Sequence, residues 1–378
     1  MAWLRLSAIK SHVASLSLGD EGCNGILMTA SRMLAPQALI HQNGIKIMAP
    51  FFLSCDWGTT SFRLRCIQSD SGQCLGQWHQ PIGVKAFHLK HASCSKQERD
   101  MAFGSFLQEA CDKLLEQQPN KPDLIQVILS GMTTSTIGWM DLPYAKIPFP
   151  LDGSAAITHQ LEGITPKGHP LAFTLISGVC SEDEMMRGEE TELIGLFSMA
   201  CHSHLASQCL ALLPGTHCKH IQILKDAITG IQTFMTGECL ESLSQHSILA
   251  ANTDMATLWE QGFQWQESAQ EKAFEEGVAR AQNHNLLGSL FQARTRGVLH
   301  QLAPSVNIWF LAGLLVGEEW KSIKEQYPED LPILLAAGNK FSHLYRHAAH
   351  LMDVNNPIHV VQPEAMELAS VAGHMKFL

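Results

Sequence analysis

The chain predicts an α/β protein made of two similar lobes with a ligand cleft between them. Three observations carry that prediction. A strand meander with a Gly-Thr turn opens at Phe51, and another of the same kind opens near Ser207. Each is followed by alternating helical and strand patterns, so one coarse unit occurs twice. The length, 378 residues, suits two units better than a single core. The expected boundaries are 48–195 for the first lobe and 196–362 for the second. A final helix, 363–378, is expected to pack back on the first lobe.

Composition narrows the partners. The chain is 46% hydrophobic and 16% charged, as in a soluble globular protein. A formal net charge of −10 leaves no basic stripe for a phosphate backbone, so nucleic acid is not the expected partner. No apolar run is long enough for a bilayer span. The 11 cysteines lack any CxxC pair in a chain that needs no disulfide framework, which suggests reduced thiols and a cytoplasmic setting. The 19 histidines form no HExxH or paired Cys/His spacing. Homodimerisation is expected only from its frequency among soluble enzymes.

Residues 1–47 stand apart, with two acids (Asp20, Glu21) and no signal-type apolar stretch. They read as an extension outside the fold, with a targeting peptide as the alternative. Deleting them is expected to leave activity and melting temperature unchanged.

From Phe51 the pattern is β. FFLSCDWGTT is a strand ending in a Gly-Thr turn, SFRLRCI alternates, DSG turns, and CLGQWHQP resumes the strand. Helical spacing over Lys96–Gln118 puts Phe106, Leu107, Ala110 and Leu114 on one face. DLIQVILSG and LAFTLISGV read as buried strands, separated by the loop GMTTSTIGWMDLPYAKIPFP. In the second half, SQCLALLPGTHCKHIQIL is strand, turn and strand, and ITGIQTFMTGE is a third strand. Helices then run to about Gln326, including NIWFLAGLLVGEEW, too short to span a membrane. LPILLAAG and PIHVVQ are strands, each followed by a helix, the last opening on Pro363.

Four stretches can carry chemistry. In DWGTTSFR, Asp56–Arg63, a glycine flanked by hydroxyls exposes backbone N–H groups suited to phosphate oxygens. Asp56, at the end of a buried strand, would hold a magnesium ion through water. An ordinary β-turn is the alternative. LPGTHCKHI, Leu213–Ile221, repeats the Gly-Thr turn; reading His217, Cys218 and His220 as a metal site is disfavoured because adjacent strand side chains point to opposite faces. LLAAGNK places Gly338 after a buried strand, where the backbone can approach a flat ligand such as adenosine. SGVCSEDEMMRGEETELIG, Ser177–Gly195, surrounds Arg187 with six acids at a helix start. Acids at that position also suit the helix dipole, which is the competing explanation.

Two Gly-Thr turns, an acidic helix start between them and a late glycine turn resemble the actin/hexokinase/heat-shock-chaperone ATPase superfamily. The closer resemblance is to the 2-dehydro-3-deoxygalactonokinase family. It is carried by DWGTTSFR, SGM with GW and PY in Ser130–Tyr144, MRGEETELIG, LPGTHCKH, MTGE, FLAGLLVGEE and the LLAAG turn, and it covers Met48 to the C-terminus. The loop TTSTIGW departs from the family's Gly/Ser/Asn-rich run before Gly138-Trp139. The resemblance implies two ribonuclease-H-like lobes and ATP-dependent phosphorylation of the 6-hydroxyl of 2-dehydro-3-deoxy-D-galactonate, with magnesium.

It also implies roles. Gly58, Thr59, Thr60 and Arg63 of the first turn and Gly215, Thr216, His217 and Lys219 of the second would hold ATP, with Gly338 near the adenosine. Glu189 would be the base that accepts the attacking hydroxyl's proton, as in the Gly-Asp-Gln-Gln motif of related sugar kinases, with Glu190 and Asp183 as runners-up. Arg187 would grip the acid's carboxylate, unless it serves as a structural salt bridge. Lys85 and Lys146 are weaker cations for that task, and Trp139 and Tyr144 would line the sugar site. The competing functions are a superfamily kinase for a neutral sugar, a nucleotide-driven binding protein, and a metal-dependent hydrolase.

Overall fold

A computed structural model describes residues 49–378 of the chain. The readings made for residues 1–47 lie outside the described residues. The described residues, 49–378, cluster as one compact unit.

The chain opens with β1 (Phe51–Trp57), β2 (Phe62–Gln68) and β3 (Cys74–Gln80), then α1 (Val84–Lys90), α2 (Lys96–Leu115) and β4 (Ile125–Gly131). Two-residue strands β5 (Ala145–Lys146) and β6 (Phe149–Pro150) precede the hairpin β7 (Thr158–Ile164) and β8 (Pro170–Ile176). Short β9 (Val179–Cys180) and β10 (Met185–Met186) lead to α3 (Glu189–Ser198). The pattern then restarts with β11 (Gln208–Leu213), β12 (Cys218–Leu224) and β13 (Ala227–Phe234). A helical block follows: α4 (Thr236–His246), α5 (Met255–Glu260), α6 (Ser268–Asn283), α7 (Leu286–Leu290), α8 (Gln292–Leu299) and α9 (Pro304–Gln326). The chain ends with β14 (Ile333–Leu335), α10 (Gly338–Leu351), β15 (Ile358–Val360) and α11 (Pro363–His374).

The two large sheets repeat one plan. The first runs β3-β2-β1-β4-β8-β7 and the second β15-β14-β11-β12-β13-β6. In each, three strands form an antiparallel meander and two later strands add in parallel beside the first of them. That is the ribonuclease-H-like arrangement that the resemblance implies, and it repeats as the recurring pattern led one to expect. Parallel strands covered on both faces read as unbroken apolar runs, and β1 and β11 are buried almost throughout.

One boundary differs from the sequence reading. Phe149–Pro150, expected within the first lobe, pairs with β13 as the outer strand of the second sheet. Besides the two-residue strands, α1, only seven residues long, and β7, an edge strand whose side chains are mostly exposed, were not legible.

The first sheet is covered by an aromatic cluster. Trp57 meets Phe62, Phe87 and Phe103 with ring centroids 5.0–5.2 Å apart. Burial of each such ring is worth about 2–3 kcal/mol, so α1 and α2 are fixed against the strands. A capping box between Ser95 and Glu98 starts α2. In the second half α9 is buried along most of its length, with Pro304 in its first turn. Among the described residues no helix is long and apolar enough to cross a membrane.

Candidate active site

Each meander ends its first hairpin in a tight tip, and both tips border one cleft. Gly58 N–H donates to Ser61 O at 3.0 Å, closing the first turn. Each tip is also backed by a glycine from the element that follows its meander. A Cβ on Gly83 would lie 2.0 Å from Thr59 O, and one on Gly237 would lie 2.5 Å from Gly215 O. No side chain fits at either place, so these glycines fix how far each tip reaches into the cleft.

A cavity of about 420 Å³ is lined by Thr59, Gly215, Thr216, His217, Glu189 and Gly338. It brings together four stretches that lie far apart in the chain. A second cavity, about 490 Å³, shares Thr59, His217, Glu189 and Glu192 with the first and adds Asp56, Gly58, Arg187, Lys219 and Tyr144. A third, about 480 Å³, lies behind the second tip and is largely apolar, with Leu240, Phe263, Phe341 and Leu344 among its walls. Thr60, Arg63 and Thr216 reach its edge.

The start of α3 divides its acids. Gly188 takes φ +108° at the N-cap, a conformation that favours glycine. The Glu189 carboxylate accepts from Arg187 N–H at 2.9 Å and faces both cleft cavities. The Glu190 carboxylate accepts from Gly188 N–H at 2.8 Å and Thr191 Oγ1 at 3.0 Å. Glu190 is fully buried and lines none of these cavities. Glu192, one helical turn after Glu189, returns to the cleft. Nothing in the sequence reading singled out Glu192, although an i, i+3 spacing on a helix was signal enough.

Electrostatics tie the acids together. Burial raises Glu189 above the ordinary carboxylate value, and the Lys219 charge is the main opposing influence. Burial and then the Asp56 charge push Glu192 up to about 8. Burial and then Glu189 push Glu190 up to about 8. Asp56 is raised by burial and held back chiefly by Arg63, its cross-strand partner, whose Nη1 is 3.6 Å away.

Arg187 is buried at the cleft wall. Nη1 donates to Thr134 Oγ1 at 2.6 Å, Nη2 to Leu142 O at 3.2 Å and Nε to Tyr144 OH at 3.4 Å. Its guanidinium lies 4.2 Å from the Tyr144 ring centroid. The hydrogen bonds go to neutral groups, so the salt bridge to neighbouring acids that the sequence allowed is not what holds it. Lys219 donates to Met185 O at 3.1 Å and Thr233 Oγ1 at 2.9 Å. It lines the chamber of Arg187 and Asp56, not the neighbouring cavity of Gly215 and Gly338.

Several expected residues lie elsewhere. Trp139 packs edge-on against Phe173, 5.2 Å between centroids, as part of the core of the first half. Lys85 is exposed on α1, Lys146 on β5, and Asp183 in the turn before α3; none lines the three cavities. An aromatic core residue and a sugar platform look alike in sequence, and so do an exposed lysine and a carboxylate ligand. His217, Cys218 and His220 take separate partners, Glu238, Tyr345 and Glu319. Cys218 and His220, two apart on β12, share one face and meet the hydrogen-bonded Tyr345–Glu319 pair, whereas His217 precedes the strand.

The donor set fits a nucleotide with a divalent cation. Backbone N–H groups and threonine hydroxyls of two tips, the Asp56 carboxylate and an apolar chamber beyond them provide for phosphates, a hydrated cation and a flat base.

Comparison with known proteins shows the family. A family model described as 2-keto-3-deoxy-galactonokinase matches residues 56–372. A 2-dehydro-3-deoxygalactonokinase of Escherichia coli (strain K12) is 30% identical over 310 residues, 81% of this chain and 91% of its own length. A provisionally named 2-dehydro-3-deoxygalactonokinase of Rhizobium meliloti (strain 1021) is 28% identical over 277 residues, covering 72% of this chain and 79% of its own. The fold is shared with a crystal structure from Sinorhizobium meliloti given the same name provisionally. That alignment has a TM-score of 0.65 and 24% identity, covering 85% of this chain and 97% of the other. Since the matched region takes in both hairpin tips, the acidic helix start and most of α11, the chain belongs to the 2-keto-3-deoxy-galactonokinase family.

Proposed function

We propose that the chain transfers the γ-phosphoryl group of ATP to the 6-hydroxyl of 2-dehydro-3-deoxy-D-galactonate in the breakdown of galactonate in the cytoplasm. The single observation behind this reading is that Thr59, Thr216 and Glu189 line one cavity. Phosphoryl transfer has a loose transition state, so a kinase works mainly by positioning and charge neutralisation. The two tips hold the phosphate tail between Gly58–Thr60 and Gly215–His217. The chamber behind the second tip, with Gly338 and Phe341 at its approach, takes the adenosine. Asp56 would hold a magnesium ion, which when bound would neutralise phosphate charge.

The acceptor sits with Arg187, Lys219 and Tyr144. Arg187 already spends its hydrogen bonds on neutral groups, so its positive charge is available to a carboxylate in the chamber. Glu189 accepts the proton of the attacking hydroxyl as the oxygen–phosphorus bond forms and the bond to the ADP oxygen breaks. The cleft must close to keep water from the transferring group.

A coupled assay of ADP release with ATP and a panel of keto-deoxy sugar acids and neutral sugars tests the assignment. The expected result is turnover with the galactonate-derived acid and little with neutral sugars. Glu189→Gln should lower kcat by at least about 100-fold with nearly unchanged ATP affinity. Near-normal turnover by that variant would remove Glu189 from the mechanism.

A further inference from the structure

His374, the last residue of α11, is fully buried. Its Nδ1 lies 2.8 Å from Ser54 Oγ and its Nε2 2.9 Å from Ser130 Oγ. The two serines sit on neighbouring parallel strands, and both are buried. Ser130 is paired across the ladder with Asp56, and Ser54 precedes Asp56 by two residues. With a side-chain period of two, Ser54, Asp56 and Ser130 share one face of the sheet. One imidazole therefore bridges the two strands that carry Asp56 and the Ser130–Gly131 wall of the acceptor chamber.

The same helix touches the acidic helix backbone to backbone. A Cβ on Gly195 of α3 would fall 1.8 Å from Ala369 O, and one on Gly373 would fall 2.1 Å from Thr191 O. Ser370, one turn before His374, lines the acceptor chamber. So α11 lies between α3, which presents Glu189, and the strands that present Asp56. It arrives there directly from β15 of the second sheet.

We infer that His374 is a positioning residue: by pinning Ser54 and Ser130 to α11, it sets the separation between the Glu189 helix and the Asp56 strand. The inference rests on the phosphotransfer reading of Asp56 and Glu189. The imidazole suits the task because burial lowers it to about 3, leaving it neutral with one donor and one acceptor nitrogen. One serine then donates to the ring and the other accepts from it. Neither bond survives replacement by an apolar ring, and two buried hydroxyls lose their partner.

The test compares His374→Phe, which keeps a planar ring, with His374→Gln, which keeps a donor and an acceptor, and with Ser54→Ala. Turnover is measured per folded site, counted by nucleotide-binding stoichiometry. His374→Phe should lower kcat by about 10- to 100-fold, because small misplacements of reacting groups cost that much. KM for both substrates should stay within about threefold. His374→Gln should recover part of the lost kcat. If His374→Phe does not fold, Ser54→Ala should still show a loss of about threefold in kcat with little change in KM.

A lower melting temperature with kcat per folded site within about twofold of wild type, in His374→Phe or in Ser54→Ala, would overturn the inference and leave His374 a stabilising residue only. Asp56→Asn is run alongside. If it abolishes turnover while His374→Phe is normal per site, only the positioning role fails. If Asp56→Asn itself turns over normally, the phosphotransfer reading fails first.

Discussion

At the scale of single residues, the cleft's acids set its response to pH. As the proposed base, Glu189 would have to be ionised to accept a proton, and burial raises its pKa while Lys219 opposes the rise. Activity should therefore fall as pH drops through that raised value. Lys219→Met removes the main opposing charge, so the acid limb of the kcat profile should move to higher pH; an unmoved limb would separate Lys219 from Glu189 electrostatically. Arg187→Ala should raise KM for the sugar acid by about 10-fold or more and leave KM for ATP nearly unchanged. A rise confined to ATP would assign Arg187 to the phosphates instead. Stability follows the same groups with a definite sign. Glu190 and Glu192, each near 8, keep protons in the folded chain that the unfolded chain has lost above the ordinary carboxylate range. Their contribution is complete at low pH and disappears as pH rises through about 8. His374 acts oppositely, because its lowered pKa costs stability as pH falls below the ordinary histidine value. Between about pH 6.5 and 8 the carboxyl groups dominate the balance. Calorimetry should find the ligand-free protein more stable at the lower of those pH values, and Glu192→Gln should flatten the difference.

At the scale of elements, the hairpin tips depend on what stands behind them. Gly83→Ala and Gly237→Ala each place a methyl group against tip backbone, and the backbone must move. Titration calorimetry should show nucleotide affinity reduced by about 10-fold or more in each; unchanged affinity would mean the tips do not need this support. Both Gly-Thr tips were legible in the sequence because turn chemistry is local. Their supports were not, since contact between Gly237 and Gly215 exists only once α4 has folded back on β11 and β12. The MTGE segment carries that glycine, and its meaning is steric. Glu189 was singled out by resemblance to the Gly-Asp-Gln-Gln motif of related sugar kinases, but that Glu189 faces the cleft while Glu190 does not was not legible. It depends on Glu190 turning inward to Gly188 N–H and Thr191. Likewise β7 escaped notice because its exposed, polar strand gives no apolar alternation, and Trp139 gave the same signal as a ligand-stacking ring while packing on Phe173.

At the scale of the whole molecule, the repeated strand order explains why the Gly-Thr turns come in a pair. The same hairpin occurs at the same place in each sheet, and the two tips approach one cleft from opposite halves. Closure should bring them together when both substrates are present. Small-angle scattering should record a smaller radius of gyration with a non-hydrolysable ATP analogue plus the sugar acid than with either alone; identical curves would argue against closure. The recurrence of the unit, and with it the architecture, was readable from pattern alone. The crossing of Phe149–Pro150 to the second sheet was not, because a two-residue strand is chosen by its neighbours.

The path of the last helix also bears on biosynthesis. Val371 packs with Phe52, Ile67, Ile128 and Ile176 on the face of the first sheet. The first sheet is therefore completed by residues that leave the ribosome well after its own strands. A nascent chain stalled before Pro363 should expose those apolar side chains to chaperones, and release of α11 should bury them in a single late step.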